Sequence, residues 1–343
     1  MGEKKEFEGK NIIIYIPNDF GLPAMFRDNL AHHGFQVIPL KNIESQKISF
    51  AEYCLYTFKK IFVNDRSFKE KAKENRRLTL EKKEHLAQLA SWKNPIDFAL
   101  ILRPDLLNDD VLKRIKEKSK KTVGYQWDGF ERYPQIRSKL HFFDDFFVFD
   151  EKDVNLEENR SLITNFYFDH LLEGNQQIKS DVYFIGSHIA NRMPKLLEVA
   201  VFLKNKNLKL DINVVGSGRK YRENHSEMGV NFITAPFDFQ TNYQHIGETK
   251  AVLDLLNDVH SGLSLRVFEA LGFRKKLITD NLEIKKYDFY NPEKIFLLQE
   301  RNWEDLPGFI NAPYQSQPEN NESKYSFKNW LHHILYKSKS DNS

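Results

Sequence analysis

The chain has 343 residues, a length at which a single hydrophobic core usually stops growing, so two domains are expected. Apolar residues make up 41% of it and aromatic residues 13%, with 28 phenylalanines, which excludes a disordered chain. Fifty-one basic against 48 acidic residues leave a charge of +3, too balanced for a general nucleic-acid binder, and the single cysteine, Cys54, excludes an intrachain disulfide.

In chain order, Met1–Lys10 is charged and the apolar run after it is too short for a signal core. No stretch nears the roughly 20 apolar residues needed to span a bilayer. With the lone cysteine, this points to a cytoplasmic protein that meets any membrane-linked substrate at the surface. Asn11–Ile16 (NIIIYI) reads as a buried strand, Ala24–His33 as a helix and Phe35–Ile38 as a second strand. Residues 59–83 then carry ten Lys and Arg against four acids. On a helix these form a basic stripe beside an apolar side of Phe50, Leu55, Phe58 and Phe62. That stripe reads either as a solvated face or as a surface for anionic lipid headgroups at the inner face of a membrane. No nucleic-acid reading motif accompanies it.

Ile96–Leu102 (IDFALIL), Thr122–Trp127, Asp145–Phe149 and Leu162–Thr164 are further strand candidates, with a helix at Asp109–Lys118. The polar run Leu172–Ser180 (LEGNQQIKS) reads as a linker. After it the same alternation returns. Val182–Ile185, Leu210–Val215, Val230–Ile233, Ala251–Leu255, Lys276–Thr279 and Ile295–Leu298 are strand-like. Pro194–Leu203, Phe239–Ile246, Leu265–Leu271 and Trp303–Phe309 are helical. Gln315–Ser323 is a second polar connector, and Tyr325–Tyr336 reads as an amphipathic terminal helix. Strands spaced by helices predict parallel, doubly wound sheets, divided as an N-terminal domain 1–171, a C-terminal domain 172–324 and a terminal helix and tail 325–343. Ligands of such sheets bind at the carboxyl ends of the strands.

The segment His260–Asp280 places a Gly-containing turn before a helix that opens near Ser264. Unpaired N–H groups and the positive dipole end of a helix start suit phosphate oxygens, with Ser261, Gly262 and Ser264 in the turn and Arg266 adding a planar charged donor. Glu269 on the same helix offers a carboxylate to the two hydroxyls of a ribose. The other reading is an ordinary turn in which Ser264 simply caps the helix. Phe184-Ile-Gly-Ser-His188 closes a strand with Gly186 and Ser187, a turn that lets backbone approach a diphosphate, and Arg192 stands where it would neutralise one. The other reading is a plain strand-to-helix turn. Gly216 lies in Val214–Arg219 (VVGSGR), a Gly-x-Gly turn that lacks the third glycine of a dinucleotide fingerprint. Asp128, in Trp127-Asp128-Gly129, is a candidate general base for an acceptor hydroxyl, or half of an Asp-Gly turn; His188 and His260 are the alternatives.

There is no Gly-x-x-x-x-Gly-Lys-Ser/Thr loop, no His-Glu-x-x-His and no Cys pair, so NTPase and structural zinc readings fall away. No Asp-x-Asp follows a strand, so no metal ligands and no metal are expected.

The Glu269–Gly272 segment (EALG) and the strand after it resemble the nucleotide-sugar glycosyltransferases of the two-domain GT-B fold. Gly124–Phe130 (GYQWDGF), Asp181–Ser187 (DVYFIGS), Gly262–Glu269 and Tyr287–Pro292 (YDFYNP) extend the resemblance over most of the chain, toward bacterial enzymes of lipopolysaccharide, capsule and exopolysaccharide assembly. The resemblance implies two Rossmann-like domains facing a central cleft, with the terminal helix crossing back to the first. It implies a nucleotide sugar as donor substrate, with no separate cofactor, and a glycan or lipid-linked oligosaccharide as acceptor. Lys250 joins Arg192, Arg266 and the Ser264 helix start in offsetting the charge of the departing nucleotide. Where many retaining members carry an acid, Ser261 stands here, so the stereochemical outcome stays open. A sugar-nucleotide epimerase or phosphorylase of the same architecture, and a non-catalytic nucleotide-sugar or anionic-surface binding module, are the alternatives.

Overall fold

The computed structural model describes residues 5–18, 21–43, 68–127, 129–155, 159–171, 177–225, 227–256, 262–315 and 321–336. The chain forms two compact units, Met1–Asn18 with Gly34–Phe146, and Asp19–His33 with Phe147–Ser343. The division expected at residue 171 falls inside the second unit.

The first sheet has six strands in the order β2-β1-β3-β4-β5-β6. These are β1 (Asn11–Tyr15), β2 (Gln36–Pro39), β3 (Ile96–Leu102), β4 (Ser119–Gln126), β5 (Asp145–Val148) and β6 (Arg160–Leu162). β2, β1, β3 and β4 run parallel. Central parallel strands are covered on both faces, which is why β1 and β3 read as nearly unbroken apolar runs. Helix α1 (Leu22–His32) follows β1, and α2 (Phe68–Ser91) precedes β3. Helix α3 (Asp109–Lys118) has a full set of end signals. Asn108 accepts the Asp110 N–H, Asp109 and Asp110 open the helix, and Lys116 and Lys118 close it, each matched to the dipole.

The second sheet, in the second unit, has the order β12-β11-β10-β7-β8-β9. Its strands are β7 (Ser180–Ser187), β8 (Leu210–Val215), β9 (Asn231–Ile233), β10 (Thr249–Asp254), β11 (Lys276–Thr279) and β12 (Ile295–Leu297). All five pairings are parallel. Side-chain alternation along β7 splits the core. Val182 and Phe184 face α4 (Met193–Asn205) and α8 (Leu306–Asn311), and Tyr183 faces α6 (Phe239–Gly247) and α7 (Leu265–Gly272). Each expected strand is present within a few residues. The short α5 (Arg219–His225) was not expected, because it buries no residue and so leaves no apolar period to read.

The terminal helix α9 (Phe327–Tyr336) packs with α1 and the Thr164–Phe168 segment. The Phe26 ring meets Phe166, Phe168 and Phe327 edge-on at 5.3–5.7 Å, and Trp330 donates its indole N–H to the Thr164 carbonyl at 3.0 Å. The residues it meets precede residue 171 and share one unit with it. Among the described residues no helix is long and apolar enough to cross a membrane. Of the basic stripe, residues 59–67 lie outside the described residues. Farther along, Arg77 pairs with Glu81 at 2.7 Å and Lys82 pairs with Asp110, so part of that charge is matched within the fold.

Candidate functional site

From β7 the chain winds outward through β8 and β9, then returns to the other side of β7 with β10 and winds away through β11 and β12. This reversal opens a crevice at the carboxyl ends of β7 and β10, the place where open α/β sheets bind ligands. A cavity of about 340 Å³ lies there, lined by the end of β7 with Arg192, by Val215, by the Pro236–Asn242 region and by the first turns of α7.

Asp254, buried at the end of β10, organises the α7 side. Its Oδ1 accepts from the Ser264 hydroxyl and from Arg266 Nη1, both at 2.7 Å. Arg266 Nη2 donates to the Ile185 carbonyl at 2.6 Å. One guanidinium therefore ties together the two strands that flank the crevice. Ser264 stands at the N-cap with extended backbone, yet its side chain makes no cap bond, since the hydroxyl is spent on Asp254. That corrects the capping role expected of it: the first N–H groups of α7 receive no bond from the Ser264 side chain.

Arg192 differs from Arg266. It is only 9% exposed, and Nη2 donates to the Ser187 carbonyl at 2.6 Å. Its Nε has no hydrogen-bond partner, and among the described residues no carboxylate forms an ion pair with it. Burial and the neighbouring Arg266 guanidinium push its pKa down to about 10. Both guanidinium groups lie against the Phe184 ring, at 5.2 Å for Arg192 and 4.9 Å for Arg266. A buried cation with an idle donor, on the wall of a cavity, is matched to an anion entering from solvent.

Opposite in sign, Glu269 on α7 is 4% exposed and lines the same cavity. Burial pushes its carboxyl up to about 7, against the pull of Arg266. Among the described residues its oxygens receive only long bonds from the Asn242 amide, 3.3 and 3.4 Å, while Asn242 Oδ1 accepts from the Tyr183 hydroxyl at 2.9 Å. Both carboxylate oxygens thus keep acceptor capacity for a ligand's hydroxyls. On the same wall Phe237 stacks on His245 at 4.7 Å, and His245 is pinned by Asp211 at 2.6 Å. Together these make a flat aromatic surface with a fixed support.

Of the residues singled out by sequence, Gly186, Ser187, Arg192, Ser264, Arg266 and Glu269 line this cavity. Gly216 follows the lining residue Val215 at φ 82°, a turn that glycine makes without strain. Gly262 packs so tightly that a Cβ would meet the Phe149 ring at 2.6 Å. Lys250 is not brought to the cavity. It opens β10, at the opposite edge of the sheet, and its ammonium is held by Asp181 and Asn311, each at 2.7 Å. Asp128, His260 and Ser261 lie outside the described residues. The His188 ring packs edge-on against Tyr221 at 4.6 Å, with Nε2 buried and unpaired, and does not line the cavity. Among the described residues no group of three His, Cys, Asp or Glu could hold a metal ion.

Sequence reading missed Asp254, Asn242 and Phe237. Asp254 was legible as an acid ending an apolar strand at the ligand edge. Asn242 sits mid-helix, and nothing local marks it. Two consequences are checkable. A Cβ on Gly186 would come within 2.7 Å of Arg192 Nη2 and 2.9 Å of the Phe184 ring. Gly186→Ala is therefore expected to displace Arg192 and weaken anion binding by about tenfold, roughly one charge-assisted hydrogen bond, in a calorimetric titration of a folded variant. Lys250→Met is expected to leave that titration unchanged and to shift stability by under about 1 kcal/mol, as befits a half-exposed pair.

No family of known sequences and no curated protein matches the chain. Solved structures do. An alpha-glucosyltransferase in complex with UDP is 11% identical with a TM-score of 0.50, and the match covers 95% of each chain. An alpha,alpha-trehalose-phosphate synthase (UDP-forming) from Burkholderia xenovorans, in complex with glucose-6-phosphate, is 9% identical with a TM-score of 0.52, covering 95% of this chain and 96% of that one. At such low identity the likeness is one of fold, two parallel α/β sheets, as the GT-B resemblance implied.

Proposed function

We propose that the chain is a glycosyltransferase that moves a sugar from a nucleotide-sugar donor, bound in the second unit, to a hydroxyl of a glycan or glycolipid acceptor in bacterial surface polysaccharide assembly. The observation that carries this reading is the cavity at the switch point of the second sheet. There a buried Arg192, which forms no ion pair with a carboxylate among the described residues, and the start of α7 meet the acceptor-rich Glu269. That pairing of a cation with a hydroxyl acceptor suits a nucleoside diphosphate. Arg192 and the α7 N–H groups take the phosphate oxygens, Glu269 takes the ribose hydroxyls, and Phe237 supplies an aromatic face for the base. Arg266 serves mainly as the strut that holds both strands in place.

In the reaction, the bond from the anomeric carbon to the diphosphate breaks as the acceptor oxygen bonds to that carbon, and the acceptor hydroxyl gives up its proton. Charge builds on the leaving diphosphate, and preorganised donors at that point lower the barrier without needing a metal. Asp128 is proposed to take the acceptor's proton. Docking on an anionic membrane face through residues 59–83 is part of the proposal.

The test is a thermal-shift panel of UDP-, GDP-, dTDP- and CMP-linked sugars. The UDP ligands come first, since one of the solved structures above is in complex with UDP and the other is of a UDP-forming synthase. A ligand at 100 times its Kd stabilises the fold by about 2.7 kcal/mol, several degrees in melting temperature. Silence across all four nucleotides would overturn the reading. Epimerisation of a bound sugar nucleotide without acceptor would replace transfer with isomerisation.

A further inference from the structure

Tyr183 is fully buried in the middle of β7, and two features of the nucleotide cavity converge on it. Its ring stacks on His245 at 5.3 Å and 21°. Its hydroxyl donates to Asn242 Oδ1 at 2.9 Å. Asn242 and His245 stand three residues apart on α6, a spacing that puts both on one face of the helix. One side chain of the sheet therefore meets two of the helix, through two different kinds of contact.

The ring contact leads to the aromatic wall. His245 in turn stacks on Phe237, 4.7 Å away at 14°. A carboxylate only accepts, so the 2.6 Å contact with Asp211 Oδ2 requires the proton on His245 Nδ1, and it fixes the imidazole within its plane. Asp211 is the register neighbour of Tyr183 on β8, and its Oδ1 is held by the Asn213 amide at 2.8 Å. Phe237 needs such a support. Thr234, Ala235, Pro236 and Asp238 are exposed, so little of its own loop packs around the ring that lines the cavity.

The hydroxyl contact leads to the acid. An amide oxygen only accepts, so the hydroxyl donates to it, and the Asn242 nitrogen is turned toward the two oxygens of Glu269. Burial and the Glu269 carboxylate push the Tyr183 pKa up, which keeps the hydroxyl a donor. Without that donor the amide is free to present its oxygen to Glu269. Acceptor would then face acceptor, and the carboxylate would lose its hold.

We propose that Tyr183 is a positioning residue for both halves of a bound nucleoside: its ring, through His245 and Asp211, sets Phe237 for the base, and its hydroxyl, through Asn242, sets Glu269 for the ribose. Tyr183 does not itself line the cavity, so it acts through these neighbours. The inference rests on the nucleotide-sugar reading and adds that the two grips can be loosened separately.

The experiment is calorimetric titration of the full chain at pH 8 with UDP, GDP and CDP, each beside its 2′-deoxy counterpart, and with inorganic pyrophosphate. The ratio of Kd values within a pair reads the ribose grip, and pyrophosphate reads the anion site alone. The parent chain is expected to prefer the ribonucleotide by about tenfold, one hydrogen bond to a charged acceptor. Tyr183→Phe keeps the ring and drops the hydroxyl, so that preference should shrink about fivefold with pyrophosphate binding unchanged. His245→Ala should weaken both members of a pair by about fivefold, the scale of one aromatic contact, and leave the preference and pyrophosphate binding intact. If Tyr183→Phe does not fold, Asn242→Ala is read for the same lost preference. A ribose preference absent from the parent or undiminished in the folded variant overturns the proposal and leaves the nucleotide reading standing. So does a His245→Ala chain that binds nucleotides as the parent does, or weakened pyrophosphate binding in either variant. A parent chain that binds no nucleotide overturns both.

Discussion

Arg192→Ala is expected to weaken nucleoside-diphosphate binding by about 10- to 100-fold, the worth of one or two charge-assisted hydrogen bonds. Its stability should change little. A buried guanidinium with an idle Nε and, among the described residues, no carboxylate in an ion pair with it is a cost to the fold, and its removal offsets the lost packing on Phe184. Arg266→Ala is the contrast. It strands the buried Asp254 carboxylate, whose Oδ1 then keeps only the Ser264 hydroxyl, and breaks the strut to Ile185. Removing one partner of a buried ion pair costs about 3–5 kcal/mol. Calorimetric titration together with thermal unfolding separates the two. Arg192→Ala loses affinity and keeps its melting temperature, whereas Arg266→Ala loses melting temperature first. The reverse ordering would exchange the roles assigned to the two residues.

Glu269 carries the second large effect, and its sign can be worked out. Burial raises the carboxyl from 4.5 to about 7 in the folded chain, so the native state holds a proton that the unfolded chain has released. The stability this confers is complete below pH 4.5 and is lost as pH rises through 7. A shift of that size corresponds to about 3 kcal/mol. Glu269→Gln is therefore expected to flatten the fall in melting temperature between those two values and to be more stable than the parent at pH 8.

Binding runs the other way. Ribose hydroxyls donate to the ionised form, so a nucleotide sugar should bind more tightly as pH rises through 7 and release a proton on binding. A nucleotide sugar is the right probe, because its diphosphate diester does not titrate there. In Glu269→Gln the affinity should drop about 10- to 100-fold and lose its pH dependence. A wild-type Kd that is flat from pH 6 to 8 would remove Glu269 from the ribose role.

Much of this molecule was legible along the chain. Strands buried on both faces of a parallel sheet carry near-continuous apolar runs, so β1, β3 and β10 announce themselves through the apolar stretches within NIIIY, IDFALIL and TKAVLD. Helix α3 shows its ends through Asn108 and its first- and last-turn charges, because end effects are local. The cavity residues Gly186, Arg192, Ser264 and Glu269 were found for a related reason: in a doubly wound sheet the carboxyl ends of the strands form the ligand edge, and strand direction is readable from chain order.

The roles of those residues belong to the tertiary structure. Nothing near Arg266 and Arg192 in sequence says that one is paired with a carboxylate and that the other, among the described residues, is not. The distinction comes from Asp254, twelve residues before Arg266 and on another element. Burial, which raises Glu269 and depresses Arg192, depends on everything packed around them. Lys250 is a residue of the right chemistry on the right strand, placed at the wrong end of it by parallel winding. By itself, the sequence determined which segments become strands and helices and which edge of each sheet carries ligand chemistry, because these follow from periodicity and chain order. Which charges are spent inside the fold and which stay available was decided by long-range pairing, as at Asp254 and Arg266 beside Arg192, which has no carboxylate partner among the described residues.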